Sequence, residues 1–392
     1  MWYRPVVGIV LAAVIAACTE VTEVSRPDLA SVVERDAISF TVPTIPEAVL
    51  DRLASSRLVV IGETHLISEH RELVAALVEG LHVRGFRQVL LEWPHFADWI
   101  LDDLVAGEPL LQEWEPPEWL YGDLVALIRE FNRSLAAEDQ VRVRGIDVNL
   151  TEYGGASSFR NAVRTFSQRL ADPGPFTDFF ASPYGTPEEQ SAALQSLRAA
   201  LEQSRSTLIA SWGDKWLDRA TELVEVEIAS VGIRTVRTDR YDVSVRMREN
   251  VMKRLTDIRL EEHGSGTLLN VGSNHAQKSY LRGTEQEWLG DYLAHRSPVV
   301  AGAAIVLAVV PALISSGSTQ AYNQLAESPP NELWRLMSET WPGKAVFLSL
   351  DDPVFETESV PFSFEQTTYI AAPKRHYDAL VLLPQAHRIP IP

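Results

Sequence analysis

Cysteine is all but missing from these 392 residues, with Cys18 the single one. No disulfide can form within one chain, and zinc sites built on several cysteines are excluded. Positive charge is also scarce: 35 Lys and Arg stand against 53 Asp and Glu, for a net charge of −18. A surface this acidic argues against nucleic acid as a partner, because neutralising phosphates needs a basic face. It offers no polybasic contact to a membrane either. No apolar run reaches the roughly 20 residues that a spanning helix needs. There is no internal repeat and no low-complexity tract. What remains, 46% hydrophobic and 22% charged residues, is ordinary for a globular protein, and the chain is long enough for one large domain or two small ones.

The first residues read as targeting signal. Arg4 gives a weakly basic start, and the apolar run from Val6 to Ala17 is too short to span a bilayer comfortably. It ends in Ile15-Ala16-Ala17-Cys18, which resembles a bacterial lipobox, the signal in which the peptide is cut before the cysteine and the cysteine is lipidated. That assigns 1–17 to a lipoprotein signal peptide, Cys18 to the anchor and 18–36, polar and without periodicity, to a flexible tether. Thr19 follows the cysteine where Asp would signal inner-membrane retention. The expected place is the bacterial cell envelope: the outer membrane, facing the periplasm, if the host has two membranes, with the lipid as the only membrane contact.

From 37 to 392 the pattern alternates. Leu58–Ile61, Gln88–Glu92, Val141–Asp147, Thr267–Gly272, Val299–Val309, Ala345–Leu350 and Tyr377–Leu383 are short apolar runs with the length and β-branching of buried strands. Helical spacing fills the intervals; Leu73, Val74, Leu77, Val78 and Leu81 are one such face, closed by Gly85. Continuous apolar strands separated by helices predict an α/β domain with a mostly parallel central sheet and helices on both faces. Two insertions interrupt it. One, about 94–132, is rich in aromatics, including Trp99, Trp114, Trp119 and Tyr121. The other, about 151–240, is mostly helical, with Thr186-Pro187-Glu188-Glu189 as a helix start. It is expected to cap the edge of the sheet where the strands end.

Glu63, His65, Glu92, Asp147 and His275 all lie just past the ends of strand-like runs. In a parallel sheet those ends share one edge, where open α/β sheets bind ligands. An acid after a strand is often only a helix cap, and a lone loop histidine is usually a surface residue. Five together on one edge point to a site, because close carboxylates and imidazoles shift one another's pKa values toward acid–base work.

Gly62-Glu63-Thr64-His65, with His70 five residues beyond His65, resembles the G-E-x-H signature of ChaN-type haem-uptake lipoproteins. Leu91-Glu92, Gly145-Ile146-Asp147, Arg248-Glu249-Asn250-Val251 and Gly272-Ser273-Asn274-His275-Ala276 are similar to later segments of the wider erythromycin esterase/ChaN-like superfamily, which includes the Tiki proteases. The patches run from about 55 to 295. One residue separates Glu63 from His65, as in the ChaN type and unlike the esterases, yet Leu66-Ile67 replace the Asp-Asn of that type. The resemblance therefore implies the superfamily and neither subgroup.

Two functions follow as expectations. The first is a hydrolase: His65 as general base on water, Glu63 and Glu92 orienting it, and His275 stabilising the oxyanion or protonating the leaving group. A divalent metal (Zn, Mn or Fe) on the two histidines and two acids is its variant. The second, suggested by the resemblance, is a haem-binding lipoprotein without catalysis. It places His70 and Asp147 at a cofactor, with His82, His95 and Tyr121 as further candidates for the iron. Either way the expected ligand is small and apolar.

Overall fold

A computed structural model describes residues 26–108, 121–264, 266–279, 286–316, 319–323, 332–356, 361–364, 367–370 and 372–390. Its strands are β1 (Ala37–Phe40), β2 (Leu58–Glu63), β3 (Phe86–Pro94), β4 (Arg142–Asp147), β5 (Gly266–Gly272), β6 (Ala304–Pro311), β7 (Leu313–Ser316), β8 (Thr319–Asn323), β9 (Ala345–Ser349), β10 (Pro361–Phe364), β11 (Thr367–Ile370), β12 (Ala379–Leu383) and β13 (Ala386–His387). Eight of them form one sheet in the order β1-β9-β12-β6-β2-β5-β3-β4. From β12 to β4 every pairing is parallel; β9 runs antiparallel to β12, and β1 antiparallel to β9.

The side-chain alternation of the strands divides the core into two layers. Leu58, Val60, Leu90, Leu269, Val271, Val306 and Val310 pack on one face. They meet α11 (Tyr241–His263), α13 (Leu289–His295) and α14 (Glu332–Thr340). Val59, Ile61, Val89, Leu91, Leu268, Leu307 and Val309 pack on the other. There they meet α2 (Glu47–Ala54), α3 (Ser68–His82), α4 (Asp98–Val105) and α5 (Gly122–Asn132). This is the mostly parallel α/β sheet, covered on both faces, that the apolar runs predict. No described helix is long and apolar enough to cross a membrane, and the run from Val299 supplies β6.

Two expectations change. The tether does not extend to 36: Arg26–Asp36 is a helix, α1, with Leu29, Val32 and Val33 buried. The i, i+3, i+4 spacing of those three is the face that the polar composition around it hides. Strand β1 is missing from the sequence reading because Ala37–Phe40 is short and only partly buried. The helical insertion, α6 (Gly155–Ser167), α7 (Phe176–Ala181), α8 (Pro187–Gln203), α9 (Arg205–Trp212) and α10 (Asp214–Arg237), meets the turns after β3 and β4 through α6 and runs from there along the β4 side of the sheet. The C-terminal half of α10 meets the loop after β4, where Arg234 donates to the Asn149 carbonyl at 2.6 Å. Its N-terminal half reaches back beside the start of β4, where Arg219 and Arg142 share Asp102. The segment thus lies along the β4 edge, around its own core of Phe159, Phe166, Phe176, Leu194, Leu197 and Leu223. The signal peptide, Cys18, Trp114 and Trp119 lie outside the described residues.

Candidate functional site

The C-terminal ends of β2, β5, β3 and β4 are neighbours in the sheet, and their last residues supply the polar groups. Glu63 closes β2 beside Gly272 of β5, and Glu92 stands near the end of β3, whose Pro94 is opposite Asp147 of β4. After β5 the chain turns into a single helical turn, α12 (Ser273–Ala276), which carries His275. His65 stands on the loop between β2 and α3, next to Leu66, whose φ of +62° is a conformation that side-chain-bearing residues rarely adopt.

Glu63 is 2% exposed and is the most heavily bonded group. Its Oε1 accepts from the Tyr121 hydroxyl at 2.5 Å and from His65 Nδ1 at 2.8 Å. Its Oε2 accepts from the Asn270 amide at 2.6 Å and lies 3.3 Å from His70 Nε2. Burial alone would raise its pKa, but the His65 hydrogen bond and the His70 charge outweigh it and hold the carboxyl down at about 2. The same carboxylate and its own burial push the Tyr121 hydroxyl well above its usual value, so Tyr121 stays a donor.

His65 is the exposed member, its side chain 52% accessible. Burial of the part that faces inward opposes its charge, yet Glu92 and Glu63 together raise its pKa to about 9. With Nδ1 on Glu63, the Nε2 points to Glu92, 3.9 Å from its Oε2.

Glu92 is the centre of a second set of contacts. Its Oε2 accepts the Gly272 N–H at 2.6 Å, and its Oε1 accepts from Arg248 at 2.5 Å and lies 3.4 Å from His275 Nε2. Burial disfavours its charge, but His275, Arg248 and His65 keep it ionised, with a pKa well below the usual carboxylate range. Arg248 also grips Asp147 with two bonds, at 2.8 and 2.6 Å. His275 gives its Nδ1 to buried Glu249, which fixes the tautomer and, with Glu92, overcomes burial and raises the imidazole to about 10. Both imidazoles therefore border one carboxylate, from opposite oxygens.

Of the residues singled out in the sequence, Glu63, His65, Glu92 and His275 come together. His70 and Asp147, read as cofactor contacts, are internal supports. His70 is 2% exposed and its Nε2 donates to Asn270 at 2.8 Å; Asp147 is wholly buried against Arg248. Four contributors were missed as members: Tyr121, Arg248, Glu249 and Asn270. Asn270 alone carried a signal, as an amide inside an otherwise apolar strand. The Arg248-Glu249 pair stood out only through family resemblance, and nothing near Tyr121 in the sequence points to Glu63.

The four strand-end side chains do not close around one metal position, and the haem candidates are engaged within the protein. No three of Glu63, His65, Glu92 and His275 bring one ligand atom each within 4.8 Å of one another; among the described residues His95, Asp98 and Glu222 do so. There the Arg259 guanidinium already stands between them, bonded to Glu222 and 3.2 Å from His95 Nε2. As for haem, His70, His82, His95 and Tyr121 are all buried, and each is bonded within the protein, to Asn270, the Asp139 carbonyl, Glu222 and Glu63 respectively.

No family model and no curated protein matches this chain. Solved structures do. A protein from Bacillus cereus aligns over 93% of this chain and 99% of its own, with a TM-score of 0.67 and 15% identity. A succinoglycan biosynthesis protein covers 93% of this chain and 98% of its own at TM-score 0.64 and 12% identity. The erythromycin esterase EreC, as a histidine-to-asparagine variant in its open conformation, covers 88% and 94% at TM-score 0.62 and 15% identity. The chain thus shares its fold with these three structures, the erythromycin esterase EreC among them.

Proposed function

We propose that this protein is a hydrolase that cleaves an acyl bond, an ester first of all, in a small and largely apolar substrate. The observation that carries the reading is His65: Nδ1 is tied to a buried, ionised Glu63, Nε2 faces Glu92 across 3.9 Å, and half of the side chain is in solvent. An imidazole oriented in this way takes a proton from water at Nε2 while the carboxylate behind it stabilises the imidazolium. The hydroxide equivalent adds to the carbonyl carbon. His275, held protonated beside Glu92 and Glu249, donates at Nε2 to the alkoxide that leaves, so the products are a carboxylic acid and an alcohol. Glu92 touches neither reacting bond; it lies between the two imidazoles and keeps their charges compatible. That an esterase shares the fold supports an ester as the bond.

The test is hydrolysis of a panel of p-nitrophenyl esters. Because His65 must lose its proton to act as base, kcat/KM should rise with pH toward about 9. His65→Ala should lower it by roughly 10²-fold or more, the usual scale for a general base, and should abolish that rise. Equal activity in the variant would end the assignment. The cellular place proposed is the bacterial envelope, through a lipid on Cys18. Cys18→Ser should leave the precursor uncut or move the protein out of the membrane fraction; a variant that fractionates like the wild type would refute the anchor.

A further inference from the structure

A second cavity lies at the other end of β4. Its volume is about 550 Å³, and its walls come from β4, α10 and α11, with Gln88 of β3. Arg142 and Arg144, two residues apart, project from the first half of β4; Lys215, Asp218, Arg219 and Glu222 come from one face of α10; Arg259, Glu262 and His263 come from the end of α11. Arg142 is five residues before Asp147, so the cavity begins about 16 Å along the strand from the Glu/His site at about 3.3 Å per residue.

Five permanent cations thus face one cavity in a chain whose net charge is −18. Three carboxylates, Asp218, Glu222 and Glu262, share the wall with them, and Asp98 and Asp102 are buried beside it. Asp98 takes Arg144 Nε and Nη2, Asp102 takes two bonds from Arg142, and Glu262 takes Arg259 Nη1 at 2.9 Å. Glu222 takes the other arm of Arg259, and Asp218 is 3.4 Å from Arg205. Donors are left over. Arg219 has a single 3.4 Å contact with Asp102, and Arg144 Nη1 comes no closer than 3.6 Å to Glu262. Arg259 is 1% exposed, yet its Nε has no hydrogen-bond partner, and neither has the buried His263 Nε2. Unsatisfied buried donors cost more than satisfied ones gain, so a site that keeps several invites an acceptor. Lys215 and Arg219 also sit in the first turns of the 24-residue α10, where the helix's own positive end disfavours a cation.

We propose that this cavity binds a small phosphorylated molecule, its phosphoryl group held between Arg219 and Lys215 on α10 and Arg144 on β4. Guanidinium groups on two walls suit a tetrahedral oxyanion, which offers oxygens in several directions, better than a planar carboxylate. The volume falls within the usual range of small-molecule sites, about 300–1,000 Å³, and exceeds what a bare phosphate fills. The field at the site agrees. Lys215 is held below its usual pKa chiefly by the charge of Arg219, and Arg219 is lowered by burial and by Arg144. A bound anion would relieve both and would tie α10 to the sheet edge. The inference is independent of the hydrolase reading.

Isothermal titration of the full chain with inorganic phosphate, sulfate and glycerol 3-phosphate, against chloride at equal ionic strength, tests it. One saturable site per chain is expected, with the monoester bound more tightly than either free oxyanion. Lys215→Ala combined with Arg219→Ala should weaken binding at least tenfold, whereas His65→Ala should leave it unchanged. Tighter binding of the free oxyanions than of the monoester would overturn the phosphorylated-molecule assignment. No saturable binding beyond chloride, binding undiminished in the double variant, or loss in His65→Ala would overturn the site. Lys215 is exposed, whereas the Arg219 side chain is 12% accessible and pairs with Asp102, so circular dichroism of the double variant, expected unchanged, separates a loss of binding from a loss of fold, and Lys215→Ala alone should weaken binding in the same direction.

Discussion

At position 272 there is no room for a methyl group. A Cβ there would sit 2.6 Å from His65 Nε2 and 3.1 Å from Glu92 Oε2. The bare backbone lets the imidazole rest against β5 while the Gly272 N–H holds Glu92 from the same point. Gly272→Ala should therefore push His65 outward, away from both carboxylates, and lower kcat/KM by about tenfold or more, since small misplacements of catalytic groups are costly. The pKa of His65, followed by NMR, should fall toward its ordinary value as the Glu92 charge recedes. A variant with unchanged rate and unchanged titration would show that the ring is not seated there. The site's strand-end residues were legible in the sequence because strand ends in a parallel sheet share an edge. Tyr121 and Glu249 were not, since they arrive from helices whose packing angle no local pattern encodes.

At the scale of elements, the best local signals gave the best readings. Thr186 accepts from the Glu189 backbone N–H, and the Glu189 side chain accepts from the Thr186 N–H, with Pro187 in the first turn. The helix start seen in the sequence is formed, as a capping box, and Thr186→Ala should destabilise the protein by about 1 kcal/mol, read as a lower urea midpoint with unchanged slope. An unchanged midpoint would mean that α8 is held by its packing alone. Where local signal and tertiary setting diverge, the reading was poorer. Leu29, Val32 and Val33 form too narrow an apolar face to stand out beside a polar tether, and only docking on the sheet makes α1 a helix. The insertion's helices were visible, but their position along β4 depends on pairings between distant segments, Arg219 with Asp102 and Glu222 with His95 and Arg259.

Over the whole molecule, the buried charges set how stability varies with pH. His65 and His275 have folded-state pKa values raised to about 9 and about 10. Their contribution is complete below the unfolded value of about 6.5 and is lost as pH rises through 9 and 10. Glu63, lowered to about 2, contributes above the unfolded value near 4.5 and loses its contribution as pH falls toward 2. The thermal midpoint should hold up best between about 4.5 and 6.5 and decline on the alkaline side. His275→Gln should flatten that alkaline decline; a decline equally steep in the variant would place its origin elsewhere. Half of His65 is in solvent, so His275 should dominate.

The strand order carries a further consequence, for the time at which the sheet can exist. β2 is made early, but the strands on either side of it, β5 and β6, follow about 200 residues later, and β1 waits for β9 near the end of the chain. At a synthesis rate of about 5–20 residues per second, β2 spends on the order of 10–40 s without either neighbour. The Glu63 end of the candidate site cannot be completed by the ribosome-bound N-terminal segment, because Asn270, which holds Glu63, is still to come. The nascent chain must keep an apolar strand from pairing wrongly until its partners emerge.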